Sequence, residues 1–226
     1  MKMTLEGKVV AITGANGGLG RAVTQAFLDT GATAVGISKA IQASEFAHPK
    51  FHAQPADLAK AAGVKALVAS LVERFGRIDA LVHLVGAFAG GKSVAETEDA
   101  TLEQMLDANF RSAFYLFREV IPSMRASGGG AIVAIGSRTA VDPAPTLGVY
   151  SASKAALVSL VKTVALENKD AGITANIVLP GTMDTPANRA AMPDADRSQW
   201  VLPANVAELL ASIVSARRMT GAVITI

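Results

Sequence analysis

The sequence predicts a single α/β domain, with a doubly wound parallel sheet between two layers of helices. Three observations lead to this prediction. The chain has 226 residues, which suits one domain of generous size. Half of the residues are hydrophobic and 18% are charged, which indicates elements that are buried on two faces. Short β-branched runs alternate with longer helical patterns, which is typical of repeated β-α-β units whose ligand crevice lies beyond the carboxyl ends of the strands.

The elements follow from the spacing of apolar residues, with period two in strands and 3.6 in helices. The predicted strands are residues 8–13, 33–37, 80–85, 131–136 and 174–179, with one more short strand within 51–57. The predicted helices are residues 19–30, 58–75, 101–125, 150–170 and 203–216. The long irregular stretch at about 181–203, which contains prolines, is predicted to be a lid over the crevice. Since no linker divides the chain, residues 1–226 are predicted to form one domain.

Composition argues against several classes of function. The net charge is +2 without a basic stripe, so we expect no nucleic-acid partner. The absence of cysteine excludes disulfides and thiolate nucleophiles and fits a reducing compartment. His48, His52 and His83 are too few and wrongly spaced for an evident metal site. No apolar run approaches the roughly 18 to 20 residues of a membrane span, and no signal-peptide core is present, so we expect a cytoplasmic protein.

A glycine loop, TGANGGLG at residues 13–20, follows the first strand and leads directly into a helix. Glycines there allow positive φ and a close approach of the backbone to a ligand. The free N–H groups and the positive end of the helix dipole favour a pyrophosphate. The alternative is a tight turn that needs glycine for its shape alone. The spacing fits T-G-x-x-x-G-x-G rather than G-x-G-x-x-G.

Lys154 lies on the apolar face of the predicted helix that begins at Tyr150. Two interpretations of this lysine are open from the helix alone. Its ammonium group either reaches water at the end of the helix or faces a cleft. A lysine one turn from a tyrosine is a cation that lowers the pKa of the phenol, which is ~10 when unperturbed, and so suits the tyrosine to proton transfer. We therefore predict that Lys154 and Tyr150 act together in general acid–base catalysis.

Four motifs together resemble those of the short-chain dehydrogenase/reductase family across nearly the whole chain. They are the glycine loop, YSASK at residues 150–154, Ser137 thirteen residues before Tyr150, and LPGTMDT at residues 179–185. The resemblance implies a Rossmann fold, hydride transfer between a nicotinamide dinucleotide and a carbonyl or secondary alcohol, and a homodimer or homotetramer. It also implies that Tyr150 is the general acid/base.

The resemblance further assigns roles to individual residues. Lys154 would also bind the nicotinamide ribose, Ser137 would hold the substrate oxygen, and Asn109 would support a water that links Lys154 to solvent. The cofactor-binding residues implied are Gly14, Asn16, Gly18, Leu19, Gly20, Ser38, Lys39, Asp57, Leu58, Gly86, Lys154, Pro180, Gly181, Thr182 and Thr185.

The end of the second predicted strand bears on the choice of cofactor. In the family an acid there selects NAD, because it binds the ribose hydroxyls and repels a 2′-phosphate. This chain has Ser38 followed by Lys39 and no acid, so we predict NADP(H) in preference to NAD(H). The alternative for Lys39 is a solvated surface side chain. Asp57 matches the family's contact on the adenine side, and it is equally suited to cap a helix.

The chain also departs from the family pattern. Where relatives have N-N-A-G, it has HLVG at residues 83–86, and we predict that His83 is a packed, hydrogen-bonded strand residue. The segment at residues 178–201 resembles that of dihydropteridine reductase, so an enzyme of that kind is the first alternative. A dinucleotide sensor without catalysis is the second. Arg189 and Arg197 in the predicted lid are compatible with ketones, acyl thioesters or pterins.

Overall fold

One seven-stranded sheet forms the centre of the protein in the computed structural model, which describes residues 4–216 and 218–226. The strands are β1 Val9–Thr13, β2 Thr33–Ser38, β3 Phe51–Pro55, β4 Ala80–His83, β5 Gly130–Ile135, β6 Ile173–Leu179 and β7 Val223–Thr225. They lie in the order β3-β2-β1-β4-β5-β6-β7, and every neighbouring pair is parallel. The chain reverses its direction of travel across the sheet between β1 and β4, so the predicted doubly wound fold is confirmed.

Helices cover both faces of this sheet. They are α1 Gly18–Asp29, α2 Ala61–Phe75, α3 Asp99–Leu106, α4 Ser112–Ala126, α5 Gly148–Glu167, α6 Pro186–Ala191 and α7 Pro203–Ala216. Residues of α2, α4 and α5 share one apolar core with one face of the strands, while residues of α1 and α7 share a second core with the other face. The two cores give the three predicted layers.

Two predicted elements differ from the observed ones for local reasons. The predicted helix 101–125 is α3 and α4 joined by one π-helical turn, Asp107–Arg111, in which the backbone accommodates one extra residue. The predicted strand 80–85 ends at His83, because the N–H groups of Leu84 and Val85 donate to the Thr13 hydroxyl at 3.1 and 3.4 Å rather than continuing the ladder.

Helix α2 begins at Ala61, three residues later than predicted. The carboxylate of Asp57 accepts a hydrogen bond from the N–H of Ala59 at 3.0 Å in the preceding turn, and the residue that caps α2 is Lys60. The alternative interpretation of Asp57 as a helix cap is therefore wrong.

The predicted lid segment contains one short helix, α6, capped by the Thr185 hydroxyl, which accepts from the N–H of Asn188 at 3.3 Å. Met183 and Val201 form an isolated parallel bridge, so the two ends of this segment lie side by side. The segment is thus anchored beside the carboxyl end of β6.

Helix α5 is apolar and long enough, at 20 residues, to meet the criterion for a membrane-spanning helix, contrary to our expectation that no such run exists. Buried core helices of α/β folds meet the same criterion. Here Leu157, Val161 and Val164 of α5 pack into the core against the sheet. Helix α5 is therefore a core helix of this fold, packed on one face of the sheet.

Candidate active site

A cleft of about 650 Å³ opens beyond the carboxyl ends of the central strands. Its walls come from the loops after β4, β5 and β6 and from the first turns of α5. Seven residues predicted to act in catalysis or cofactor binding line it: Gly86, Ser137, Tyr150, Lys154, Pro180, Gly181 and Thr182. The fold thus brings together residues that are up to 96 positions apart in the chain, from Gly86 to Thr182.

Lys154 is buried, with 4% of its surface exposed. Its Nζ donates to the main-chain oxygen of Ile135 at 3.1 Å. Burial lowers the pKa of the Lys154 ammonium to about 8. The interpretation that this lysine extends into water is therefore wrong, and the alternative, that it faces the cleft, holds.

Tyr150 stands one helical turn before Lys154, with its ring against Phe88 at 5.0 Å between centroids in an edge-on arrangement. Burial raises the pKa of the Tyr150 phenol, and a hydrogen bond with the Ser137 hydroxyl opposes part of this effect. We predicted that Lys154 lowers this pKa; in the structure the net shift is upward, because the phenol loses water as it packs into the cleft. The phenol and the Ser137 hydroxyl nevertheless lie together, as predicted.

Asn109 lies in the π-helical turn and is fully buried. Its side chain is held on both sides: Oδ1 accepts from the N–H of Ala87 at 2.8 Å, and Nδ2 donates to Ala87 O and to Ser153 Oγ, both at 3.0 Å. Asn109 therefore joins the loop after β4 to helix α5. Its predicted part in a proton relay to Lys154 stays a prediction.

His83 is fully buried at the end of β4, and its Nδ1 lies 3.1 Å from Thr13 Oγ1. Which atom of this pair donates depends on the His83 tautomer, and the other ring nitrogen, Nε2, is buried without a hydrogen-bond partner among the described residues. Burial, with a smaller effect of the Lys154 charge, lowers the His83 pKa to about 3, so the ring is neutral. His83 is a packed, hydrogen-bonded strand residue, as predicted.

The glycine loop leads into the start of α1 and is closely packed. Gly14 has φ +67°, and a Cβ at Gly20 would lie 1.9 Å from Gly14 O. A Cβ at Gly18 would lie 2.9 Å from the Cβ of Thr185, so the segment after β6 touches the loop. Helix α1 has no side-chain cap and no acid in its first turn. Its terminal N–H groups and its dipole therefore suit an anionic ligand.

The second part of the predicted cofactor site lies at the end of β2. The Lys39 ammonium is 3.2 Å from Asp57 Oδ1; the lysine side chain is largely exposed and that of Asp57 is partly exposed. Asn16 of the glycine loop donates to Glu45 Oε1 at 3.3 Å, and Arg21 holds the other oxygen of Glu45 at 2.6 Å. Glu45 was not predicted from the sequence, because it comes from the irregular link between β2 and β3.

Two predicted cofactor contacts are buried as side chains. Leu58 packs into the core formed with α2, and Leu19 packs beside α7 on the other face of the sheet. Ser38 is partly buried at the last position of β2. These three residues thus lie just after the carboxyl ends of β1 and β3 or at the last position of β2. Their contacts to a cofactor stay predictions.

Several cleft residues were not found from the sequence. Arg138, Leu147, Met183 and Met192 line the cleft, and Phe88 packs on the tyrosine ring. Because Arg138 directly follows the predicted site residue Ser137, its place in the cleft could have been predicted from the sequence. The others come from loops, where no periodic pattern shows which side chains face inward.

The residues present fit a nicotinamide dinucleotide on two observations. Gly86 lies directly against the Lys154 ammonium, since a Cβ there would lie 2.8 Å from both Lys154 Nζ and Asn109 Oδ1. The Lys154 ammonium has three N–H donors, and one of them is used by Ile135 O. The remaining donors suit ribose hydroxyls, and the uncapped start of α1 suits a pyrophosphate.

Comparisons with known proteins agree with this geometry. A family model described as short chain dehydrogenase matches residues 8–196. The chain is 35% identical over 194 residues to a 3beta-hydroxysteroid dehydrogenase of Mediterraneibacter gnavus, with 83% of this chain and 70% of that protein covered. It is 34% identical over 199 residues to the 2,3-dihydro-2,3-dihydroxybenzoate dehydrogenase of Escherichia coli, with 88% and 75% covered.

Two solved structures extend the likeness to the whole chain. The 3-ketoacyl-(acyl-carrier-protein) reductase of Brucella melitensis, complexed with NADH, has a TM-score of 0.87 at 27% identity, covering 99% of this chain and 98% of its own. The L-sorbose reductase of Gluconobacter frateurii, complexed with NADPH and L-sorbose, has a TM-score of 0.90 at 27% identity, covering 100% and 97%. The likeness of residues 178–201 to dihydropteridine reductase stays a prediction. The chain belongs to the short-chain dehydrogenase/reductase family of oxidoreductases.

Proposed function

We propose that this enzyme interconverts a carbonyl compound and a secondary alcohol with NADP(H), and that Tyr150 is its general acid/base. One observation carries the proposal: the Tyr150 phenol, the Ser137 hydroxyl and the Lys154 ammonium meet in one cleft at the carboxyl ends of the strands. The relatives named above are all dehydrogenases or reductases, which supports the same class of reaction.

In a carbonyl reduction the cleft residues have separate roles in proton transfer and in binding. A bound nicotinamide dinucleotide supplies the hydride that reaches the carbonyl carbon. Tyr150 donates its phenolic proton to the carbonyl oxygen, and the bond between that oxygen and the proton completes the alcohol. Because burial raises the pKa of Tyr150, the phenol holds its proton at neutral pH and is ready to donate it. In the direction of oxidation the phenolate takes the proton back.

Ser137 and Lys154 support this proton transfer in different ways. The Ser137 hydroxyl, next to the phenol, donates a hydrogen bond to the substrate oxygen and fixes its position. The buried Lys154 charge stabilises the phenolate that remains after the proton has left, since the field of a buried charge is weakly screened. The lysine also holds ribose hydroxyls with the donors that Ile135 leaves free.

The preference for NADP(H) is proposed from the charges near β2. Ser38, followed by Lys39, stands where family members that use NAD carry an acid. The Lys39 ammonium pairs with the partly exposed Asp57, and a surface pair of this kind is weak enough for a phosphate to replace the carboxylate. The carboxylate of Glu45, which approaches Asn16, is neutralised by Arg21 at 2.6 Å. We also propose, as in the family, a homodimer or homotetramer.

The experiment is a spectrophotometric assay of NADPH and NADH oxidation with a panel of ketones, a β-ketoacyl thioester and quinonoid dihydropterin. We expect turnover of at least one ketone or oxo compound, with NADPH preferred. Turnover of the pterin alone would replace the proposal by a dihydropteridine reductase-like activity. Tight NADPH binding without turnover of any compound would contradict catalysis and indicate a sensor of the dinucleotide.

A further inference from the structure

One charged side chain in the cleft has no assigned role: Arg138, in the turn directly after Ser137. Its side chain is exposed in the cleft. Among the described residues, no side chain or main-chain oxygen forms a hydrogen bond or an ion pair with its guanidinium. The residues that line the cleft include no acid. An exposed guanidinium in a cleft without acidic side chains is suited to bind an anionic ligand.

The two arginines of the lid segment do not compete for that task. Arg189 forms a forked ion pair with Asp184, in which Nη2 of Arg189 donates to Oδ2 of Asp184 at 2.7 Å. Arg197 donates to the main-chain oxygen of Pro193 at 2.9 Å and lies over the ring of Trp200. Both guanidinium groups are therefore already engaged, whereas the guanidinium of Arg138 is available to a substrate.

The backbone around Arg138 makes room for its side chain. A Cβ at Gly181 would lie 2.4 Å from Nη2 of Arg138, so the guanidinium packs against a residue without a side chain. The N–H of Arg138 donates to Pro180 O at 3.4 Å, which ties the turn to the segment after β6. The guanidinium is thus held against the cleft wall rather than being free in solvent.

The position of Arg138 points to the substrate rather than to the pyrophosphate of the cofactor. The turn follows β5, whereas the glycine loop follows β1, two strands away in the sheet and about 10 Å across it. Ser137, which we place on the substrate oxygen, is the neighbouring residue, with its Cα about 3.8 Å from that of Arg138. The anion that Arg138 binds therefore lies close to the reacting carbonyl.

We propose, building on the proposed oxidoreductase function, that the natural substrate is an oxo acid or hydroxy acid whose carboxylate pairs with Arg138. A carboxylate fits the planar fork of a guanidinium with two parallel hydrogen bonds. The rest of the cleft receives an apolar body, because Phe88, Leu147, Met183 and Met192 face it. The substrate class is an aryl or alkyl oxo acid with the carboxylate within a few bonds of the carbonyl.

The test uses pairs of compounds that differ only in charge: benzoylformate and 4-oxo-4-phenylbutanoate, each against its methyl ester, with wild type, Arg138→Gln, Arg138→Lys and the surface control Arg118→Gln. We expect Arg138→Gln to lower kcat/KM for an acid roughly 10- to 100-fold. It should change kcat/KM for the ester by no more than about threefold and leave the dissociation constant of NADPH unchanged. For the acid, Arg138→Lys should have a kcat/KM between those of the wild type and Arg138→Gln. Equal losses for acid and ester, weaker NADPH binding, or no preference of the wild type for the acid would overturn the proposal.

A binding measurement separates this proposal from the proposed function. Calorimetric titration of the enzyme–NADPH complex with benzoate and with benzamide needs no turnover. We expect benzoate to bind more tightly than benzamide to wild type, and the difference to vanish in Arg138→Gln. If no carbonyl compound is reduced while this difference is present, the proposed function fails and the anion site stands. If turnover occurs without any difference between benzoate and benzamide, the anion site is refuted alone.

Discussion

The ammonium of Lys154 lies 3.1 Å from the main-chain oxygen of Ile135, at the carboxyl end of β5. This hydrogen bond ties the catalytic helix to the strand beneath it and directs a buried charge towards the cleft. Holding that charge in the interior costs folding free energy, as the lowered pKa of Lys154 shows. The buried charge of Lys154 therefore couples the stability of the free protein to its activity.

Replacing Lys154 by methionine removes the buried charge while keeping an unbranched side chain. We expect Lys154→Met to raise the free energy of unfolding of the cofactor-free protein at pH 7, by on the order of 1 to 3 kcal/mol. It should also lower kcat at least about 100-fold. The measurements are urea unfolding and steady-state kinetics, with Lys162→Met, on the exposed face of α5, as the control.

The effect of pH on this stability gain has a defined sign. The folded pKa of Lys154, about 8, is below the unfolded value of about 10.4, so the unfolded chain binds more protons in that interval. Stability of the wild type from this group rises with pH between those values. The advantage of Lys154→Met should therefore be full below pH 8 and shrink towards pH 10. A constant advantage would show that charge burial is not its cause.

Gly86 offers a second test, of space rather than charge. A Cβ there would lie 2.8 Å from both Lys154 Nζ and Asn109 Oδ1. We expect Gly86→Ala to weaken NADPH binding at least about tenfold, because the methyl group would displace the Lys154 ammonium, which we propose holds the ribose. Fluorescence titration with NADPH measures this.

Gly63→Ala is the matched control for that change. Gly63 lies inside α2, where a Cβ would meet nothing closer than Asp57 O at 3.5 Å, an ordinary contact. This control should leave NADPH binding unchanged and stabilise the protein by up to roughly 1 kcal/mol, since alanine favours the helix. Equal binding in both variants would show that Gly86 does not border the cofactor.

Lys39 decides the proposed cofactor preference. We expect Lys39→Ala to raise the dissociation constant of NADPH roughly tenfold and to leave that of NADH nearly unchanged, because only NADPH carries the 2′-phosphate that the ammonium would pair with. Lys65→Ala, an exposed lysine on α2, is the control. Both constants are obtained by titration. An equal change for both dinucleotides would refute a phosphate-specific role.

Much of the fold was predictable because its strands are short, apolar and separated by helices with a clear period. The boundaries that were missed depend on tertiary contacts. The strand β4 ends early because the Thr13 hydroxyl takes the next two N–H groups. The π-helical turn at Asp107–Arg111 places Asn109 against Ala87, and no local sequence pattern predicts this turn.

The site was predictable where its residues sit on motifs of fixed spacing, as Ser137, Tyr150 and Lys154 do. The direction of the Tyr150 pKa was predicted wrongly, because the sequence shows the neighbouring cation and does not show how much water the fold removes. Glu45 and Phe88 come from loops that approach Asn16 and Tyr150 only in the folded chain. Such contacts have no signature in a single sequence.

Proton transfer by the Tyr150 phenol is tested by Tyr150→Phe, which removes one oxygen and keeps the ring that packs on Phe88. The measurement is kcat/KM for the best carbonyl substrate, together with the dissociation constant of NADPH. We expect a loss in kcat/KM of roughly 10²- to 10⁴-fold with NADPH binding unchanged. Turnover by Tyr150→Phe equal to that of the wild type would contradict a role of the phenol in proton transfer.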